Sequence, residues 1–269
     1  MAREKITVLI PCGNEEKNLP DLLKTVAWAD EIFVVDSFSK DRSAEIARAA
    51  GARVVQHEYV NSAAQKNWAI PQCSHPWVLI VDCDERVTPA LREEVLQKLE
   101  GDHPFDGFRI FRANRFMGRR IRFCGWQDDS CLRLFRRDKG RYQEREVHAD
   151  IVLDGRVGVL KNKLLHFTFA SFDQYMKKFD QYTTWAAGDR AKRTKRVRWH
   201  HLTLRPAWRF FRQYVIKLGF LDGLPGLIIC SLAAYSVFLK YSKLWERRAK
   251  EEIHHRGTES TEKETTTKQ

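Results

Sequence analysis

The sequence predicts an α/β protein: a mostly parallel sheet flanked by helices, followed by a C-terminal helical extension. Three observations carry this. Strand and helix periodicities alternate through the first hundred residues; short alternating strands follow from Gly107; and a basic, aromatic run leads into an uncharged apolar stretch near the end. Alternating strand and helix over such a length implies parallel strands covered on both faces.

The elements follow from local pattern. Ile6–Ile10 is a β-rich apolar run ended by Pro11, and Leu19, Leu22, Leu23 and Val26 recur at helical spacing. Ile32–Val35 is a second strand stopped at Asp36, and Ser43–Ala50 a helix ended by Gly51. Arg53–Gln56, Ala63–Ile70, Val78–Val81 and Pro89–Leu99 then read as strand, short helix, strand stopped at Asp82, and amphipathic helix. Beyond Gly107, Phe108–Phe111, Ile121–Phe123, Cys131–Phe135, Val147–Leu153 and Leu164–Phe169 are short strands, and Phe172–Ala187 a helix. The expected domains are residues 1–188, with a nucleotide-handling half at 1–100 and an acceptor half at 101–188. A basic, aromatic and apolar segment at 189–250 and a disordered Thr/Glu/Lys tail at 251–269 complete the chain.

A composition of 43% hydrophobic and 30% charged residues over 269 positions excludes a disordered chain, a collagen and a polytopic membrane protein. The formal net charge of +12 is uneven: residues 1–100 carry −4, residues 101–250 carry +18, and the tail −2. Such asymmetry points to a polyanionic partner. The six cysteines show neither a CxxC pair nor zinc-type spacing, and the apolar run after Met1–Glu4 is too short for a signal peptide. Reduced thiols in the cytosol are expected.

Acidic residues at strand ends are the sharpest chemical signal, because open α/β sheets bind ligands beyond the carboxyl ends of their strands. Asp36 ends the second strand; Asp82 and Asp84 end the fourth, and Asn14-Glu15-Glu16 follows the first. Carboxylates at i and i+2 can face one hard cation whose remaining shell is water and substrate phosphate. A solvated acidic turn is the plain alternative for the Asp-Cys-Asp triplet alone. Neither GxGxxG after the first strand nor GxxxxGK[ST] is present, so diphosphate binding through Mg²⁺ or Mn²⁺ is expected instead of a glycine-rich cradle.

The segments ITVLIPCGNEE, VVDSFSKDRSAEIA and LIVDCDERV resemble glycosyltransferase family 2, with its GT-A nucleotide-sugar fold. NSAAQKNWAI, the GW-x-DD-x-C-LRLFRR and REVHADI segments, LLHFTFASFDQYMKKFDQY and LGFLDGLPG are similar to bacterial lipopolysaccharide-core β-1,4-glucosyltransferases, and the likeness extends over residues 5–247. Cys83 stands where those relatives more often have Ala, and Ser37 where many family members have a second Asp.

This resemblance implies that Pro11, Asn14, Glu15 and Asp36 line the uridine and ribose pocket, with Gln65, Lys66 and Asn67 near the nucleotide. Asp82 would contact the sugar-nucleotide, and Asp84, with Asp82 and His166, would hold the Mg²⁺ or Mn²⁺ that bridges the diphosphate. Inversion at the sugar is likewise implied by the family. The general base is open among Asp129, Glu146, Asp128 and Glu144, with Asp129 favoured for its place before the LRLFRR strand. His148 and His166 have a structural role as the alternative to metal binding, and Arg133 and Arg136 are candidates for neutralising diphosphate.

Ten basic and no acidic residues lie between Arg190 and Lys217, interleaved with Trp199, Trp208, Phe210, Phe211 and Tyr214. A single-strand nucleic-acid binder would show the same mixture. The apolar Leu224–Leu239 that follows, then Lys240, Lys243, Arg247 and Arg248, favours a segment on an anionic membrane and no nucleic acid. A helix buried against the catalytic domain is the alternative. The expected protein is an inverting, metal-dependent transferase moving a sugar from a nucleotide-sugar, a UDP-sugar first, to a membrane glycolipid such as lipopolysaccharide core. It would work peripherally on the cytoplasmic face of the inner membrane. A polyprenyl-phosphate glycosyltransferase and a non-enzymatic, membrane-tethered nucleic-acid-binding protein are the rivals.

Overall fold

Alternation of apolar side chains builds the sheet. In β1 (Ile6–Cys12), Val8 and Ile10 face one side and Leu9 the other; in β2 (Glu31–Asp36), Val34 opposes Phe33 and Val35. α1 (Leu19–Val26) separates them. α2 (Ser43–Ala49), β3 (Arg53–Gln56), α3 (Ser62–Ala69), β4 (Trp77–Ile80), the two-residue β5 (Glu85–Arg86) and α4 (Pro89–Glu100) follow in order. The computed structural model describes residues 3–143, 150–169 and 171–266.

The second half of the sheet comes from β6 (Gly107–Phe116), β7 (Arg119–Arg120), β8 (Ser130–Arg136), β9 (Gly140–Tyr142), β10 (Ile151–Leu153), β11 (Val157–Val159) and β12 (Leu164–Phe169). Then come α5 (Phe172–Ala191), α6 (Trp199–Leu202), α7 (Leu204–Phe211) and α8 (Gly223–Thr266). The chain divides into two compact units, Met1–Arg115 with Gln127–Thr168, and Phe116–Trp126 with Phe169–Gln269. The expected boundary at residue 188 falls inside α5.

In the first unit, strands run in the order β3-β2-β1-β4-β8-β6-β12-β5. β3, β2, β1 and β4 are parallel, and β8 is antiparallel to β4 and β6. Leu19, Leu22 and Val26 of α1 with Leu91, Val95 and Leu99 of α4 cover the face carrying Val8, Ile10 and Leu79. Ala69, Ile70 and Cys73 cover the face carrying Leu9, Val35 and Ile80. Burial on both faces is why these strands read as continuous apolar runs. The strand order reverses between β1 and β4, the switch point where such sheets bind ligands.

Two expectations change. Ile121–Phe123 is not a strand: the backbone N–H groups of Arg122 and Phe123 donate to the Asp222 carboxylate, at 3.0 and 2.8 Å, instead of to a ladder. Strand pairing within the expected Val147–Leu153 begins at Ile151, and residues 147–149 lie outside those described.

The second unit is helical. Phe116, Ile121, Cys124, Ile229 and Cys230 form one buried cluster, and Ala187, Tyr241 and Leu244 another. The LGFLDGLPG segment is a close-packed corner: a Cβ on Gly226 would sit 2.0 Å from the Gly219 carbonyl oxygen, so only glycine fits. α8 is helical through Thr266, over residues whose composition reads as a tail. Within it and the preceding turn, Gly219–Glu251 contains an 18-residue window with a mean hydropathy of 1.6 and is long and apolar enough to cross a membrane, by length and composition.

Glu31 ties together the edge of the sheet opposite the switch point. Its carboxylate accepts from Thr7 Oγ1 at 2.6 Å, Arg53 Nε at 2.8 Å and both N and Oγ of Ser74 at 2.8 Å. Burial alone would raise its pKa, but these donors bring it down to about 2. A depressed carboxylate contributes stability above its unfolded pKa and loses it as pH falls through the folded value. Glu31→Gln is therefore expected to cost roughly 2 kcal/mol at pH 7. Denaturant unfolding should show that difference shrinking between about pH 4.5 and pH 2.

Candidate active site

Three loops meet at the carboxyl ends of the parallel strands. After β1, Asn14 adopts a left-handed φ of 57°, a conformation Asn tolerates better than most residues. It thereby faces the loop after β2: Asn14 Oδ1 accepts from Lys40 N and Asn14 N donates to Ser39 Oγ, both at 2.8 Å. The Glu15 backbone N–H donates to Ser43 Oγ at 2.8 Å, and Asn18 Nδ2 to the Glu15 carboxylate at 2.7 Å. Asp36 is fully buried, accepting from the Ser39 backbone, from its hydroxyl, and from Gln56 Nε2 at 3.1 Å. Buried Gln65 donates to Ser37 Oγ at 2.7 Å. Asn14 and Glu15 thus sit on loops linked to the end of β2 at Asp36; Gln65 joins them from α3 through Ser37, and Pro11, within β1, pairs beside Val35 of β2.

Asn67 does something else. Its side chain exchanges two hydrogen bonds with the Tyr142 backbone, at 2.9 and 2.7 Å, and so clamps β9 to α3. Lys66, one residue earlier, is buried and places Nζ 3.0 Å from Asp82 Oδ1 and 5.3 Å from the Tyr142 ring.

Asp82 begins a continuous chain of alternating charges. Its other oxygen accepts from the guanidinium of buried Arg133, which also reaches Glu85 Oε1 at 3.0 Å. Glu85, itself fully buried, accepts from the Asp82 backbone N–H at 3.0 Å and lies 3.7 Å from Arg112. Arg112 holds Asp129 with Nε at 3.0 Å and Nη2 at 2.6 Å. Asn114 Nδ2 donates to Asp129 Oδ2 at 2.7 Å, Asn114 Oδ1 lies 2.7 Å from His166 Nδ1, and His166 Nε2 lies 3.6 Å from Asp84 Oδ2. The antiparallel pairings explain this meeting: β8 starts beside the end of β4, and His166 pairs across from Glu85.

The electrostatics follow from burial and partner. Burial alone would raise the Asp82 carboxyl, but Arg133 and Lys66 outweigh it and hold it well below the carboxylate range. Burial pushes the Glu85 carboxyl up, opposed by Arg133 and helped by Asp82. Asp129 is held down by Arg112 and Asn114 against its own desolvation. Three of its roughly four lone-pair positions are taken by these donors, leaving one for an incoming hydroxyl.

With Lys66 and Arg133 on its two oxygens, Asp82 is not brought beside Asp84 as a joint cation-facing pair. Among the described residues no three His, Cys, Asp or Glu side chains converge on one point. Asp84 and His166 remain as donors. Because Asn114 Nδ2 is spent on Asp129, its Oδ1 faces His166 and assigns the ring proton to Nδ1. His166 Nε2 and the Asp84 carboxylate face each other across 3.6 Å, and a ring nitrogen and a carboxylate oxygen so placed are a donor pair that one divalent cation can share. Mg²⁺ or Mn²⁺ bound with a diphosphate needs only one or two protein ligands, so this pair fits one.

The remaining candidates separate. Asp128 adjoins Asp129 in the loop before β8, while Glu144, Glu146 and His148 lie outside the described residues. Arg136 is at the opposite end of the sheet, paired with Glu4 at 3.0 Å and stacked 4.9 Å from Trp77, because three residues of strand carry it about 10 Å from Arg133. Sequence reasoning missed Glu85, Arg112 and Asn114. Their spacing at i and i+2, on one face of β6, was the available signal for the last two.

The model of glycosyl transferase family 2 matches residues 7–220. The lipopolysaccharide core biosynthesis glycosyltransferase LpsC of Rhizobium meliloti (strain 1021) is 33% identical over 251 residues, covering 91% of this chain and 93% of that protein. An uncharacterized glycosyltransferase of Rickettsia conorii is 26% identical over 262 residues, 92% of each. Among solved structures, S. aureus TarS aligns with 82% of this chain and 46% of its own at 16% identity and a TM-score of 0.47. The mixed sheet with flanking helices and a long apolar C-terminal helix is a GT-A arrangement with an extension, and the chain belongs to glycosyl transferase family 2.

Proposed function

We propose that this glycosyltransferase moves one sugar, with inversion, from a nucleotide-sugar to a hydroxyl of a membrane glycolipid of the lipopolysaccharide-core type. A UDP-sugar is the donor we favour. The observation that carries the reading is the charge chain from Lys66 to Asp84, which links the donor-side carboxylates Asp82 and Asp84 to the acceptor-side carboxylate Asp129 through hydrogen bonds and two longer ionic contacts. Likeness to LpsC over nearly the whole chain supports the acceptor class. The excess of positive charge and the exposed aromatics of the second unit support work at an anionic membrane surface, on the cytoplasmic face.

Asp84 and His166 would hold Mg²⁺ or Mn²⁺, which supplies positive charge where the diphosphate leaves. The linked loops after β1 and β2, with Asn14, Glu15 and Asp36, would receive the nucleoside. Lys66 and Arg133 fix Asp82 ionised, so it can accept a hydrogen bond from a sugar hydroxyl but not donate one. Asp129, oriented by Arg112 and Asn114, would take the proton from the acceptor hydroxyl as its oxygen attacks the anomeric carbon and the nucleoside diphosphate departs from the opposite face. Glu146 and Asp128 are the other candidates for that proton.

Three measurements test this. UDP with Mn²⁺ or Mg²⁺ should stabilise the protein to heat by about 3 kcal/mol at a hundredfold excess over Kd. Asp84→Ala should abolish the metal-dependent part of that shift, and a shift indifferent to both metal and Asp84 would sink the reading. Asp129→Asn should lower kcat by roughly 10²–10⁴ while leaving UDP stabilisation intact, with Asp128→Asn within about tenfold of the parent. If Glu146→Gln shows the loss instead, the base is Glu146. A hydrolysis screen across nucleotide-sugars, followed by lipid acceptors with the best donor, separates a glycolipid acceptor from a polyprenyl phosphate.

A further inference from the structure

Tyr241, in the middle of α8, is 1% exposed, yet three cations surround it. Arg190 Nε, at the end of α5, donates to its hydroxyl at 3.1 Å, and Arg205 Nη1, on α7, donates to the same oxygen. The Arg190, Arg205 and Lys240 charges lie 5.9, 5.3 and 5.1 Å from the ring centroid. His201 stacks on the ring at 4.8 Å, fixing its plane.

Four described carboxylates of this unit are engaged with other cations: Asp189 with Lys192, Asp180 with Lys243, Glu246 with Lys250, and Glu251 with Arg247 and Arg248. Among the described residues, none comes within 4.0 Å of the Arg190, Arg205 or Lys240 nitrogens. Three like charges gathered without a counter-ion repel, and a bound anion turns that repulsion into attraction. The geometry is also pre-set. The Tyr241 oxygen spends both lone pairs on the two guanidinium groups, which anchors each by one N–H and leaves the remaining donors for oxygens of a ligand. Guanidinium pairs suit phosphate, which each can meet with two parallel hydrogen bonds.

The surroundings say what carries the phosphate. Leu204 and Trp208, on the same short helix as Arg205, and Trp245, one turn beyond Tyr241, are all about 60% exposed. Large apolar side chains beside a cationic cluster suit an amphiphile's headgroup, with the apolar residues in its acyl boundary. We propose that Arg190, Arg205, Lys240 and Tyr241 form a site for a phosphate group borne on a lipid, separate from the sugar-transfer site. The proposal rests on neither the donor nor the metal.

Flotation of the full chain with phosphatidylcholine vesicles tests it. The vesicles carry phosphatidic acid, or phosphatidylglycerol at matched surface charge. The parent protein should bind the phosphatidic acid vesicles about tenfold more tightly. Tyr241→Phe keeps the ring and its stack on His201 but frees both guanidinium groups, and should lose that preference. Arg190→Gln/Arg205→Gln should lose it as well, while Arg193→Gln/Arg196→Gln keeps it. Nucleotide-sugar hydrolysis should be unchanged in all of them, so a failure here is distinguishable from a failure of the proposed reaction. Equal binding to the two vesicle types, or a preference that survives Tyr241→Phe, would overturn the site. Displacement by millimolar inorganic phosphate would overturn its assignment to a lipid, as would oligonucleotide binding that Tyr241→Phe abolishes.

Discussion

The guanidinium of Arg133 is the interaction on which the candidate site depends. It is buried between two carboxylates, Asp82 and Glu85, at the point where β4 ends and β8 begins. Removing one partner of such a buried pair leaves uncompensated charge and costs on the order of 3–5 kcal/mol. Here the cost would fall on the turn that carries Asp84. Burial pushes the Glu85 carboxyl up and Arg133 opposes that rise, and the Asp82 backbone N–H is itself bound to Glu85. The Asp-Cys-Asp turn is thus held both by its own hydrogen bonds, Glu85 N to Asp82 O at 2.9 Å and Asp82 N to the Glu85 carboxylate at 3.0 Å, and by a cation from a distant strand.

The same cation divides the labour of three acidic residues that the sequence writes as one run. Asp82 is tied to Lys66 and Arg133; Glu85 is structural; Asp84 faces His166. From Glu85 the chain continues through Arg112 to Asp129, and returns through Asn114 to His166. Asn114 is the hinge of that return path. Its amide can satisfy Asp129 and His166 together in only one orientation, so one residue orients both. Asp82, Asp84, Asp129 and His166 are thus positioned by one network in place of two independent pockets.

The second unit solves a different problem with a similar device. Large aromatic and aliphatic side chains, Trp199 at 69% and Leu224 at 68% among them, remain exposed on helices dense in arginine. The net positive charge resolves into a near-neutral sheet unit and a basic helical unit. Within the latter, cations gather on Tyr241 in a defined arrangement rather than as a diffuse coat.

Periodicity was enough to determine the alternating α/β half, because a strand buried on both faces and a polar residue at its end leave local signatures, while the family came from the resemblance of the ordered motifs. β3 and α1 fall where the pattern puts them. Asp36, Asp82 and Asp84 were legible for the same reason. Tertiary structure alone decided what each acid does, since that depends on partners far away in sequence: Arg133 lies 51 residues from Asp82, and His166 reaches Asp84 only through the pairing of β12 with β5. It also moved Arg136 away from the site, turned Asn67 into a clamp on β9, and took Ile121–Phe123 out of the sheet by giving its amides to Asp222. A residue's chemistry is local, but its protonation and its reach are set by whichever charges the fold brings beside it.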